Sequence, residues 1–254
     1  MDLFRSLNLI CFILAATALK SSNQIEVFKL SKPSNETDKH AALENLLGPQ
    51  KKTVAFVICM GTVYILILLC GIIGNISTCF LIALKKCMHT TTNYYLFSLA
   101  LSNLLSLITG LPIELYSILT VAYPWPFGET FCILRTFIFE TTTITSVLTI
   151  LTFTFERFLQ ICKPAYAKIF SSGFSRTIRI ICFIWIFSSL IALPYSITTN
   201  VFYEYPDYAE SKACGILSKH KNFMKIVIQS SVLFLFFIPM ILISKKSFKS
   251  FFFF

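Results

Sequence analysis

Apolar and polar residues fall into long separate blocks along this chain rather than alternating. Five apolar stretches, at about 53–84, 93–119, 131–161, 177–197 and 224–244, each approach or exceed the ~20 residues a helix needs to cross a bilayer. The runs are continuous and lack the two-residue alternation of a membrane barrel, so strands are disfavoured for them. Polar links separate the spans: Lys85–Thr92, Val121–Thr130, Cys162–Arg176 and Thr198–Asn222. No segment repeats, which gives an inverted-repeat transporter no support. The pattern predicts an all-α membrane protein.

The ends read differently. Residues 1–18 have the pattern of a signal peptide: Arg5 is the positive start, Leu7–Leu19 is almost wholly apolar, and Ala16-Thr17-Ala18 is a small-x-small cleavage site. The alternative is an uncleaved anchor, but a run of that length reaches only about 20 Å against a roughly 30 Å hydrocarbon core. Residues 19–52 are polar, rich in lysine and poor in aromatics, and are expected to be a disordered tail carrying a glycosylation sequon at Asn35-Glu36-Thr37. A second sequon, Asn75-Ile76-Ser77, lies inside an apolar span and is discounted. Residues 245–254, Lys-Lys-Ser-Phe-Lys-Ser and four phenylalanines, read as an aberrant tail.

Composition agrees with a lipid solvent: 56% of residues are hydrophobic and 13% charged, more apolar surface than a soluble domain of 254 residues could hide. The formal net charge of +10 would ordinarily suggest nucleic acid. Here the basic residues sit in short links, so topology explains them better and no nucleic-acid partner is expected. Lys85, Lys86, Lys163, Lys168, Arg176 and Arg179 belong to the first and third links or their borders, whereas the second link holds Glu129 and no basic residue. That asymmetry places the first and third links in the cytoplasm and the amino terminus outside, as a secretory signal and an external sequon also require. The nine cysteines form no CxxC pair and no metal-ligand cluster with histidine, so neither a metal nor another cofactor is expected. Cys59, Cys70, Cys79 and Cys182 read as buried, inert thiols, while Cys132 and Cys214 lie at the edges of spans. No nucleophile–base pair suggests an enzyme.

Polar residues inside spans are costly and so informative. In order they are Gly74-Asn75, Leu99-Ala100-Leu101-Ser102-Asn103, Cys132 through Glu156-Arg157-Phe158, Trp185 with Pro194, and Phe236-Phe237-Ile238-Pro239. Together, over roughly residues 53–244, they resemble the rhodopsin-like G-protein-coupled receptors. Cys132 and Arg157 are 25 residues apart, about 37 Å of helix, which puts one at each membrane face. The resemblance implies that Cys132 bonds a cysteine of the second external loop, where Cys214 lies, in an oxidising compartment. It also implies that Glu156 and Arg157, with Pro164 seven residues on, face a heterotrimeric G protein. Taken alone, Glu156-Arg157 would read as a surface ion pair worth little. Trp185 reads as a packing residue with an indole hydrogen bond to a neighbouring helix, and Pro194 and Pro239 as kinks.

A finer likeness lies in Asn93–Ala100, Leu111-Pro112-Ile113-Glu114, Trp125-Pro126-Phe127-Gly128 and Phe139-Glu140-Thr141. These resemble the neuromedin U, pyrokinin and capability-peptide receptors, which bind amidated peptides ending in Pro-Arg-Xaa. The resemblance implies that Glu114 and Glu140 receive the ligand arginine. Both lie in the outer part of the bundle, where paired carboxylates suit a guanidinium; alternatively either bonds a neighbouring helix or reaches water. Trp125 and Phe127-Gly128 are expected to shape the second link.

The chain also departs from the pattern. Asn103 stands where these receptors normally carry aspartate; an amide can bond across to Asn75 but lacks the charge to hold sodium, although Ser146 of that pocket is present. Phe158 replaces the usual tyrosine, and Ser247 stands where the fifth span normally carries one. Five spans rather than seven are visible, so the expectation is a partial seven-transmembrane bundle, truncated in its gene model or as a splice form. The leading function is a peptide-hormone receptor of the plasma membrane, multi-pass and surrounded by lipid. One alternative is a non-signalling form that pairs with the full-length receptor and retains it in the endoplasmic reticulum. Another is a transporter or channel subunit, which should show broken helices or charges at the bilayer midplane.

Overall fold

The computed structural model describes residues 43–44, 52–121, 123–162, 174–205 and 209–234. The expected signal peptide, the sequon at Asn35, Pro164, Pro239 and the tail at 245–254 lie outside these residues.

Four of the apolar stretches are helices: α1 (Val54–Leu84), α2 (Thr91–Leu119), α3 (Glu129–Cys162) and α4 (Phe174–Thr198). Among the described residues these four are long and apolar enough to cross a membrane. A fifth helix, α5 (Lys221–Val232), starts the last stretch, of which residues 235–244 are outside the described residues. The Thr90 hydroxyl caps α2 by accepting from the Asn93 amide at 3.3 Å, satisfying one orphan donor. Hydroxyls along the spans bond back to their own helix: Thr62 donates to the Ile58 carbonyl, Thr78 to Gly74 and Thr154 to Ile150, all at 2.7–2.8 Å. Where no water is available, such back-bonding satisfies a hydroxyl within its own helix.

The helices pack in sequence, α1 on α2, α2 on α3 and α3 on α4, with α4 also reaching α2. α1 is peripheral, burying only Gly61 and Ile82. Two glycines permit close approach. A Cβ on Gly71 would lie 2.7 Å from the Leu107 side chain, and one on Gly110 would lie 2.8 Å from the Phe139 ring. Large apolar side chains cover the outside, among them Phe80, Phe183, Ile186 and Leu190. Cys59, Cys70 and Cys182 share that surface and Cys79 is half-exposed, so these thiols are not buried as their apolar context suggested. An apolar stretch does not say which side of a helix meets protein.

The link after α4 is a hairpin rather than an irregular loop. β1 (Thr199–Tyr203) pairs antiparallel with β2 (Lys212–Ile216), with Val201 opposite Cys214. α5 then folds back against α4, where Tyr195, Met224 and Ile228 form a small core and the Tyr195 hydroxyl donates to Ser231 at 2.9 Å.

Candidate functional site

Cys132, fully buried in the first turn of α3, is bonded to Cys214 of β2, with a Cα–Cα distance of 5.9 Å. The hairpin is thereby held over one end of the bundle. The α2–α3 link is fastened to it too, because the Trp125 amide donates to the Lys212 carbonyl at 2.9 Å. Within the link, the Trp125 indole donates to the Gly128 carbonyl at 2.9 Å, and Gly128 adopts φ +80°, open to glycine at little cost. Phe127 sits edge-on to both Trp125 and Tyr116. Trp125 and Phe127 therefore build the rim, as their sequence context suggested.

Beneath this rim lie the two glutamates, and they are not equivalent. Glu114 of α2 is half exposed and meets a cation from the same chain: an Arg135 terminal nitrogen of α3 lies 3.3 Å from its Oε1. The Arg135 Nε also donates to the Thr109 carbonyl at 3.0 Å. Pro112 lies inside α2 and supplies no N–H to the Ile108 carbonyl, one residue before the Thr109 carbonyl that Arg135 engages. Glu140 is five residues beyond Arg135 on α3, about 7.5 Å deeper along the axis. It is partly buried, lies within electrostatic reach of Tyr195, and makes no hydrogen bond or ion pair among the described residues.

Midway along the bundle, α1, α2 and α3 share a polar cluster. The Asn103 amide donates to the Asn75 side-chain oxygen at 3.4 Å, and Ser146 donates to the Asn103 oxygen at 3.2 Å. The Ser102 and Ser146 hydroxyls are 2.8 Å apart, and one turn on Ser106 meets Thr142 at 2.6 Å. Each such interhelical bond contributes on the order of 0.6 kcal/mol. The cluster fixes the register of three helices with neutral groups, and no metal-ligand cluster occurs among the described residues.

At the opposite end, Glu156 and Arg157 are both engaged by α2. The buried Tyr95 hydroxyl donates to Glu156 at 2.8 Å, and Arg157 donates to the Thr92 hydroxyl. The Arg157 guanidinium also lies over the Phe153 ring, 5.2 Å from its centroid. Between the two ends, the Trp185 indole of α4 donates to Ser98 of α2 at 3.1 Å, and α4 continues through Pro194.

Comparison with known proteins matches residues 74–249 to the 7 transmembrane receptor (rhodopsin family). The chain belongs to this receptor family. Among similar receptors, the pyrokinin-1 receptor of Drosophila melanogaster is 41% identical over 197 residues, covering 78% of this chain and 44% of that protein. A neuromedin U receptor homologue of Caenorhabditis elegans is 43% identical over 155 residues, covering 61% and 38%. The mouse neuromedin-U receptor 2 is 35% identical over 219 residues, covering 85% and 54%. The chain thus spans about half the length of the curated relatives it matches.

As a rhodopsin-family chain it is a multi-pass membrane protein of a family of receptors rather than enzymes. The receptor bundle brings Glu114 to Arg135, and Asn75 to Asn103 and Ser146, and sets the disulfide under the hairpin. The sequence pattern alone does not single out Arg135. Its signal was an arginine three residues into the span after Cys132, a charge that in lipid demands a partner.

Proposed function

We propose that this chain is part of a plasma-membrane receptor for an amidated peptide, that Glu140 with Glu114 receives an arginine of that peptide, and that the Glu156–Arg157 end engages a heterotrimeric G protein. One observation carries the reading: Glu140 is a partly buried carboxylate with no ion pair or hydrogen bond among the described residues. A lone carboxylate in such a setting costs several kcal/mol or takes up a proton. A ligand guanidinium supplies the missing charge and five donors in a planar fork. The names of the relatives, pyrokinin and neuromedin U receptors, agree with a peptide ligand.

In this proposal the disulfide end faces outward, because a disulfide persists in an oxidising compartment. Lys85, Lys86, Arg176 and Arg179 gather at the other end, consistent with a cytoplasmic face. The amino terminus is then external, with residues 1–18 as signal peptide and Asn35 glycosylated. The test is a calcium or cyclic-nucleotide response to an amidated peptide ending in Pro-Arg-Xaa, in cells expressing a seven-helix receptor that carries residues 53–244. The response should be lost or strongly right-shifted by Glu140→Gln at equal surface expression. An unaltered response in that variant contradicts the assignment.

A further inference from the structure

Arg135 has no part in the function proposed so far, yet it occupies one of the two carboxylates. We infer that Arg135 competes with the ligand arginine for Glu114, so that ligand binding is an exchange of guanidinium partners. The inference rests on the reading that a ligand arginine is received at Glu114 and Glu140.

The geometry suits an exchangeable contact. The Arg135 side chain is 19% exposed and the Glu114 side chain 54% exposed, with a single nitrogen–oxygen approach at 3.3 Å rather than a two-pronged one. A single, part-exposed contact of this kind is weak. Arg135 has a second anchor, its Nε on the Thr109 carbonyl at 3.0 Å. It can therefore give up Glu114 without losing every partner. Glu140 follows Arg135 by five residues on α3, about 1.4 turns of helix. An incoming arginine meets at Glu140 a carboxylate with no ion pair among the described residues and at Glu114 one already paired, and both the exchange and the repulsion between guanidiniums subtract from its affinity. A ligand without a cation has nothing to exchange. Arg135 is thus a specificity-determining residue that tunes how strongly the site rewards arginine.

The test measures binding of an amidated Pro-Arg-Xaa peptide and its citrulline counterpart to a seven-helix receptor carrying this chain, with Arg135→Gln, Glu114→Gln and the double variant. Arg135→Gln should tighten the arginine peptide by about two- to fivefold, the range for releasing a part-exposed ion pair. It should leave the citrulline peptide unchanged, and the gain should vanish in the Glu114→Gln background. Arg135→Lys, which keeps the charge and drops the fork, should give a smaller gain in the same direction and serves if the glutamine variant fails to reach the membrane. An equal shift for both peptides would mean a purely structural role and overturn the inference, as would a gain that survives Glu114→Gln. Wild-type binding that ignores arginine-to-citrulline replacement overturns the underlying reading and the inference with it. Arginine preference with no gain in Arg135→Gln overturns the inference alone.

Discussion

Gly110→Ala probes the contact that sets α3 against α2 immediately beside Glu140. A Cβ on Gly110 would stand 2.8 Å from Cε2 and 3.1 Å from Cδ2 of the Phe139 ring. Ordinary carbon contacts are about 3.5–4.0 Å, so the ring or helix must retreat by roughly 0.7–1.2 Å. The ring cannot give way like the end of a flexible chain. One turn along, the 2.6 Å bond between Ser106 and Thr142 crosses the same interface and opposes any parting of the helices. Overpacking of this kind costs about 1–3 kcal/mol, of which alanine's better helix propensity returns up to about 1. The expected net loss is about 1–2 kcal/mol, or a fall of roughly 2–8 °C in apparent Tm at about 2–4 °C per kcal/mol. The assay is thermal unfolding of the detergent-solubilised receptor for wild type, Gly110→Ala, Phe139→Leu and the double variant. Because leucine vacates the space that the new methyl needs, the double variant should lose less than the sum of the singles, by at least about 0.5 kcal/mol. Strict additivity, or a Gly110→Ala receptor as stable as wild type, would refute the packing argument.

Two further outcomes follow from the bundle's ends. Non-reducing peptide mapping of membrane-inserted protein should recover Cys132 and Cys214 in one linked peptide, whereas both thiols free would remove the tether that holds the hairpin over Glu114 and Glu140. Cys87, exposed in the turn between α1 and α2, should react with an impermeant thiol reagent only after cells are permeabilised; labelling on intact cells would invert the proposed orientation.

Much of this structure was legible in the chain, because lipid makes the sequence speak plainly. The apolar stretches at 53–84 and 93–119 differ by one or two residues from helices Val54–Leu84 and Thr91–Leu119. The contact between Asn75 and Asn103, and the indole bond of Trp185 to a neighbouring helix, follow from the high cost of an unpaired polar group in a span. Three things were not legible. The hairpin at 199–216 lies in a link of mixed charge, and its five-residue strands are set by the disulfide and by α3 rather than by alternation of their own. The exposed faces of Cys59, Cys70 and Cys182 depend on helix rotation, which a run that is apolar all round does not encode. The third is the pairing of Arg135 with Glu114, 21 residues apart in sequence. Nothing in the spacing of Glu114 and Glu140 says that one meets a cation of the same chain while the other lies deeper along α3.

The central claim is that Glu140 touches the ligand arginine, and a double-mutant cycle tests it most directly. Binding is measured for Glu140 and Glu140→Gln receptors, each with the arginine peptide and its citrulline counterpart. Each single change should cost on the order of 2–5 kcal/mol, the range for breaking a partly buried, hydrogen-bonded charge pair. If the groups are in contact, the second change adds little once the first is made, because the same interaction cannot be lost twice. Losses that simply add would mean that the carboxylate and the guanidinium do not meet, and the account of this site would be wrong.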